Sequence, residues 1–220
     1  MKLGIYGAGS LGYEILDLAN TINTQKHRWS EIFFIDDTEK PGHGNVENSC
    51  LSFLEMCEKH LPNNLEVVIG VGEPKIRKIL REKVKGRGYS LATLIHPIAH
   101  IGAKVIIESG TVIQYGCFVS CNTILRENSF VQPNALVGHN SIIGQDSVIS
   151  SLVSIAGDCE IGDGSYIGMN VSVKEKTKIG SNTIVGMGSS VMRDIPDNMI
   201  ALGNPARPMK TNDEQRVFKQ

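Results

Sequence analysis

Long apolar runs are missing from this sequence. No window of about 18 consecutive apolar residues occurs, so no membrane-spanning helix is expected. The opening stretch MKLGIYGAGSLGYEI is broken by glycines, and no small-residue cleavage site follows it, so no secretory leader is expected. Rings are scarce: aromatics make up 5% of 220 residues, with a single tryptophan. That excludes a core assembled around aromatic side chains. With 23 glycines and 41% hydrophobic residues, it points instead to a tightly wound backbone around aliphatic and small side chains. An excess of one charge is also absent. Lysine plus arginine number 22 against 23 acids, so there is no electrostatic ground to expect nucleic acid or an anionic membrane as partner. Cysteine is sparse and unpatterned (Cys50, Cys57, Cys117, Cys121, Cys159). No CxxC occurs, and the six histidines lack zinc spacing, so neither a disulfide framework nor a metal site is expected. Reduced thiols in a cytoplasmic protein are the plain reading.

What is present is a repeat. Every sixth residue from Ile95 to Val191 is isoleucine, leucine or valine, seventeen in succession without a gap. A second series, four residues after each member of the first, is small or β-branched throughout, from Ala99 and Val105 to Thr183 and Ser189. A spacing of six does not track the 3.6-residue period of a helix. Turn residues recur too often for plain alternating strands. The pattern is that of a hexapeptide β-helix, in which each hexad forms one flat side and three sides close a coil of about 18 residues. The aliphatic residue fills the inside, and successive coils stack at strand spacing.

The first ninety residues read differently. Apolar strands are expected at Lys2 to Tyr6, Ile32 to Ile35, Leu65 to Val71 and Leu91 to Leu94. Helices are expected over Tyr13 to Asn23, Leu51 to His60 and Pro74 to Val84. That order predicts a small Rossmann-like parallel sheet with helical crossovers. Gly7-Ala8-Gly9-Ser10-Leu11-Gly12 matches GxGxxG, which allows a tight turn and turns the first helix's N-terminus toward a phosphate. Asp36 and Asp37 end the second strand, where a carboxylate reaches a ribose or base. NAD is the reflex reading of such a fingerprint. The unit is only half a dinucleotide domain, so a mononucleotide within a nucleotide-sugar suits it better. The expected division is 1–92 Rossmann-like, 93–197 left-handed β-helix, and 198–220 a C-terminal loop and tail.

The hexads resemble those of the left-handed β-helix acyltransferases. With GAGSLG near the start, IDD at 35–37, GVG at 70–72, HP at 96–97 and GNPAR at 203–207, the whole chain is similar to the bacterial nucleotide-sugar N-acetyltransferases and the sialic-acid O-acetyltransferase group. The resemblance implies a homotrimer with active sites between neighbouring β-helices. It implies a UDP-sugar held by Gly7, Gly9, Ser10, Leu11, Gly12, Asp36, Asp37, Gly70, Val71 and Gly72. It also implies acetyl-CoA in a groove between β-helices, assigned here to Gly157, Ile167, Met169, Met187, Asn204, Pro205 and Ala206. His139 matches the family's catalytic histidine and Gly157 the glycine whose amide faces the acetyl carbonyl.

Acyl transfer to an amine calls for a base near neutral pKa and an oxyanion donor. His139 falls at a coil corner two residues after Val137 and suits the first role. His96 and His100 stand at the start of the β-helix, either structural or substrate-lining, while His27, His43 and His60 are expected at the surface. There are departures from the family. The acid that often follows the catalytic histidine is Asn140 here, which fixes a tautomer but cannot stabilise an imidazolium. Asp146 or a neighbouring chain is the expected substitute. A second family histidine is Val148, and the histidine of the glycine turn is Leu11. Cys117 and Cys159 are expected to be packing residues; Cys121 falls at a corner. The reading is an acetyl-CoA-dependent N-acetyltransferase acting on a nucleotide-linked 4-amino sugar. A sugar or sialic-acid O-acetyltransferase and a non-catalytic nucleotide-sugar-binding trimer are the alternatives.

Overall fold

A computed structural model describes residues 1–38 and 49–218. His43 lies outside the described residues. The N-terminal unit comprises β1 (Lys2–Tyr6), α1 (Ser10–Lys26), β2 (Ile32–Ile35), β3 (Cys50–Leu51), α2 (Phe53–Lys59), β4 (Leu65–Ile69), α3 (Pro74–Gly86) and β5 (Ser90–Leu91). The strands form one parallel sheet in the order β3-β2-β1-β4-β5. The expected fourth strand is split. Ser90–Leu91 joins this sheet, whereas Leu94–Ile95 pairs with Val112–Ile113 as the first strand of the next unit. The two-residue β3 was not legible as a strand because it is too short to alternate.

From Leu94 the chain winds as a left-handed parallel β-helix of triangular section. Two-residue strands stack into three flat faces, one beginning at His100–Ile101, one at Ile106–Ile107 and one at Leu94–Ile95. We call them faces A, B and C. The hexad aliphatics Ile113, Val119, Leu125, Val131 and their successors form a single buried column. At the corners the backbone turns through left-handed φ, and asparagine or aspartate supplies it at 122, 128, 134, 140, 146, 158, 170, 182 and 198. These residues tolerate that region better than other side chains do.

The segment expected as a loop and tail is ordered around a hairpin. Met199–Gly203 runs parallel to Ile184–Val185, and Ala206–Thr211 folds back antiparallel, with Asn204-Pro205-Ala206 at its turn. Ala201 and Ala206 close the lower end of the core. Above the hairpin, Ile195 bridges Ile179 and keeps the chain on the stack past Val191.

Face C is covered by the N-terminal unit. Its outward residues Val112, Phe130, Val148 and Tyr166 join one apolar cluster with Ile15, Leu18, Ala19 and Ile22 of α1. The second fastening is polar. Arg77 is fully buried and donates to the carbonyls of Ile69, Val71 and Asn128 and to Asn128 Oδ1, at 2.6 to 3.2 Å. One helical turn later, Arg81 binds Asp146 through Nε and Nη2 at 2.9 and 3.0 Å. Lys85 reaches Glu127 at 2.6 Å. Burial acts to raise the Glu127 pKa, but hydrogen bonds from Lys85 and Ser109 and nearby Arg81 hold it below the ordinary glutamate range. A carboxylate depressed in the folded state contributes stability above its unfolded pKa, and that contribution is lost as pH falls through the folded value. Glu127→Gln should therefore lower the urea midpoint at pH 7. The gap from the wild type should close as pH falls below the glutamate range, and a constant gap down to pH 3 would refute the linkage.

Candidate functional site

The coil repeat builds the site at the corner between faces A and B. Val137 is paired to Val119 before it and to Ile155 after it, so Cys121, His139 and Gly157 occupy one column. The imidazole of His139 lies over Gly157. A Cβ built there would meet three ring atoms at 2.4 to 2.9 Å, so only glycine leaves this space. The imidazole is 54% exposed. The Gly157 N–H has no acceptor among the described residues.

The acid missing at position 140 is found one coil later. Asn140 Nδ2 donates to Asp158 Oδ1 at 3.0 Å, and Asp158 Oδ2 stands 3.9 Å from His139 Nδ1. Asn122 in turn donates to Asn140 Oδ1 at 3.1 Å. The stacked corner amides thus hold a carboxylate beside the imidazole, within ion-pair reach once it takes a proton. Asp146 does not serve here: it lies at the corner between faces B and C, buried and held by Arg81. The sequence carried the signal for Asp158 in the coil length, since it follows Gly157 as Asn140 follows His139.

The second cluster lies on the opposite side of the prism, at the C-terminal edge of the sheet. Gly12 packs so closely on the Gly7 carbonyl that a Cβ would sit 2.0 Å from the oxygen. Gly9 caps α1 without a side chain, leaving the Ser10, Leu11 and Gly12 amides at the helix N-terminus. Asp36 accepts from the Ala8 amide at 2.8 Å and braces this turn. Asp37 is tied into the fold: it accepts from Tyr6 Oη, from Lys83 Nζ at 2.6 Å and from the Phe53 amide at 2.8 Å. Burial acts to raise its pKa, yet these donors bring it below the usual range. Gly70, Val71 and Gly72 adjoin Gly7 and Leu11. The structure therefore brings the residues read as nucleotide-binding together on one edge.

The residues assigned to an acyl-CoA groove are not brought together in one protomer. Ile167 is a correction: as the aliphatic of its hexad it faces the core and is 0% exposed, so its side chain lines no groove. Met169 and Met187 are exposed but stack at the corner between faces C and A. On the His139 edge the exposed methionine is Met192, three coils below Gly138. His100 stacks on Phe118 at 4.7 Å, and His96 meets Tyr115 edge-on. His27 is exposed as expected, whereas His60 is half-buried against Phe33. Burial pushes the Cys117 thiol up to about 11 and raises that of Cys159, so neither is a thiolate near neutrality. Among the described residues no three His, Cys, Asp or Glu side chains converge as a metal site. No described helix is long and apolar enough to cross a membrane.

Residues 2–84 match the family described as the PglD N-terminal domain, and residues 158–193 match the bacterial transferase hexapeptide (six repeats). The chain is similar to the acetyltransferase domain of PglB from Neisseria gonorrhoeae FA1090, a domain also solved in complex with acetyl coenzyme A. Identity is 31%, covering 94% of this chain and 99% of that one, with a TM-score of 0.87. WeeI from Acinetobacter baumannii AYE is 25% identical over 95% of this chain and 100% of its own, with a TM-score of 0.86. PerB from Caulobacter crescentus, solved in complex with CoA and GDP-perosamine, shares the fold at 21% identity over 96% of this chain and 98% of its own, with a TM-score of 0.85. No curated protein sequence matches the chain.

Proposed function

The chain belongs to the hexapeptide-repeat acetyltransferases that carry a PglD N-terminal domain, and on that footing we propose that it moves the acetyl group of acetyl-CoA onto the amine of a nucleotide-linked 4-amino sugar. The observation that carries the reading is the exposed His139 imidazole lying over Gly157 beside Asp158. His139 accepts the amine proton as the nitrogen adds to the thioester carbonyl, and afterwards returns it to the departing thiolate. Asp158 stabilises the imidazolium formed between those steps. The Gly157 amide donates to the developing oxyanion. An amine is nucleophilic enough that no acyl-enzyme is needed.

Residues 1–92 hold the nucleotide in this reading, with phosphates at the Ser10–Gly12 amides and the base toward Asp36. Residues 93–197 supply the chemistry, and the hairpin turn 204–206 with Met169 and Met187 contributes to the CoA groove. Within one protomer the nucleotide cradle covers face C, while His139 stands at the opposite corner. The acceptor therefore meets a histidine of another copy. Faces A and B flank that corner and carry exposed apolar residues, Phe118 and Leu136 on A and Ile106 on B. Face A of one copy against face B of the next is a heterologous contact, and with a three-fold rotation between copies it closes as a ring, the homotrimer of this reading. The cytoplasmic setting belongs to the same reading, since the five cysteines are unpaired.

The deciding experiment measures thiol release from acetyl-CoA against UDP-, dTDP- and GDP-linked 4-amino-4,6-dideoxyhexoses. Release with one acceptor, abolished in His139→Ala, is the expected result. Activity only toward hydroxyl sugars would overturn the amine as acceptor, and His139-independent release would overturn the mechanism. Leu136→Asp should yield a folded, inactive monomer by light scattering; an active monomer would refute the shared site.

A further inference from the structure

We propose that Phe218, brought in by the strap of residues 212–218 that follows the hairpin, forms with Tyr166 the wall against which the sugar ring of the acceptor packs, so that this strap sets sugar specificity. The inference rests on the reading of the N-terminal unit as the nucleotide-sugar cradle. Sheet order gives the direction of the ligand. A nucleotide with its base toward Asp36 just after β2 and its phosphates at the turn after β1 has its next group over the following strand, β4, which leads into Gly70, Val71 and Gly72. Phe218 is at that point. A Cβ on Gly72 would lie 3.9 Å from the Phe218 ring and 3.3 Å from Leu11 Cδ2. The same phenyl meets Tyr166 of face C edge-on, with centroids 5.7 Å apart.

The strap is held by a dedicated group. Glu73 stands at the N-cap of α3, where a side chain ordinarily accepts from its own helix. Here it makes no such bond. The residue is 9% exposed, and its carboxylate accepts instead from the amides of Val217, at 2.9 and 3.0 Å, and Phe218, at 3.1 Å. Lys75 adds a bond to the Glu214 carbonyl at 3.2 Å. A nearly buried carboxylate thus fixes the backbone of a residue whose ring remains 54% exposed. Holding a phenyl half out of water gains little from burial. A fixed aromatic face beside a glycine with no side chain does suit the C–H face of a deoxysugar.

The test compares wild type, Phe218→Ala, Phe218→Tyr and Glu73→Gln. Acetyl-transfer kinetics on the panel above are paired with calorimetric binding of each sugar nucleotide and of UDP, dTDP and GDP alone. Phe218→Ala should raise the acceptor KM and the sugar-nucleotide Kd about tenfold. Kd for the bare nucleotide and KM for acetyl-CoA should stay unchanged. Phe218→Tyr should restore wild-type values, and Glu73→Gln should shift partway toward alanine. Unchanged binding in Phe218→Ala overturns the proposal. So does an equal loss for the bare nucleotide, which would make the strap structural, or tighter binding, which would make it a plug. Binding is read whether or not acetyl is transferred. A silent wild type that still binds sugar nucleotides through Phe218 would therefore refute the transferase reading and leave the wall standing.

Discussion

Gly157→Ala should silence the enzyme nearly as completely as His139→Ala while leaving the fold intact. Removing a positioned general base costs about 10²- to 10⁴-fold in rate. A methyl at 157 removes the same base by displacement, because it would stand 2.4 to 2.9 Å from three imidazole atoms. The ring is half exposed and swings outward at little cost, so the melting temperature should stay close to wild type. Asp158→Asn leaves the imidazole in place but removes its counter-charge, and should cost less than either. Thiol-release kinetics and thermal melts on the three variants check the set. A fully active Gly157→Ala would remove His139 from the reaction.

Arg77→Met should destabilise the fold strongly. The side chain is fully buried, and its guanidinium satisfies three backbone carbonyls and one side-chain oxygen. Leaving buried acceptors unpaired costs about 1–3 kcal/mol each. Part of this is offset, because burial already disfavours the cation and lowers its pKa to about 10. A net loss of about 2–4 kcal/mol follows, which in a chain of this size lowers the melting temperature by roughly 5–15 °C. Lysine cannot span the same acceptors and should not rescue. Because the Ile69 and Val71 carbonyls flank Gly70, weaker sugar-nucleotide binding should accompany the loss of stability. An unchanged melt would show that Arg77 does not help to fasten the two units.

These two predictions differ in how far they could be read in advance. The β-helix was legible because every inward residue obeys one period. The glycine turn was legible because Gly7 and Gly12 each meet a steric demand. His139 followed from its match to the family's catalytic histidine, at a coil corner. Arg77 was not legible: an arginine among Lys75, Lys78 and Arg81 reads as a solvated charged face, and only the packing of α3 against Asn128 reveals a buried one. Asp146 was misread for the same reason, since its partner Arg81 lies 65 residues away. Asp158 was legible only by counting a full coil, and Phe218 by nothing local, because its position depends on Glu73, far off in the chain.

A parallel stack of strands is a template for its own elongation, since each end presents unpaired amides and carbonyls to any strand that arrives. The hairpin after Val191 answers this on face C. Its outer strand runs antiparallel and carries Arg207, Pro208 and Lys210, so the edge it offers is charged and lacks one donor. The turn that the family likeness associates with coenzyme binding is also the stop that keeps a coil of amyloid-like geometry finite.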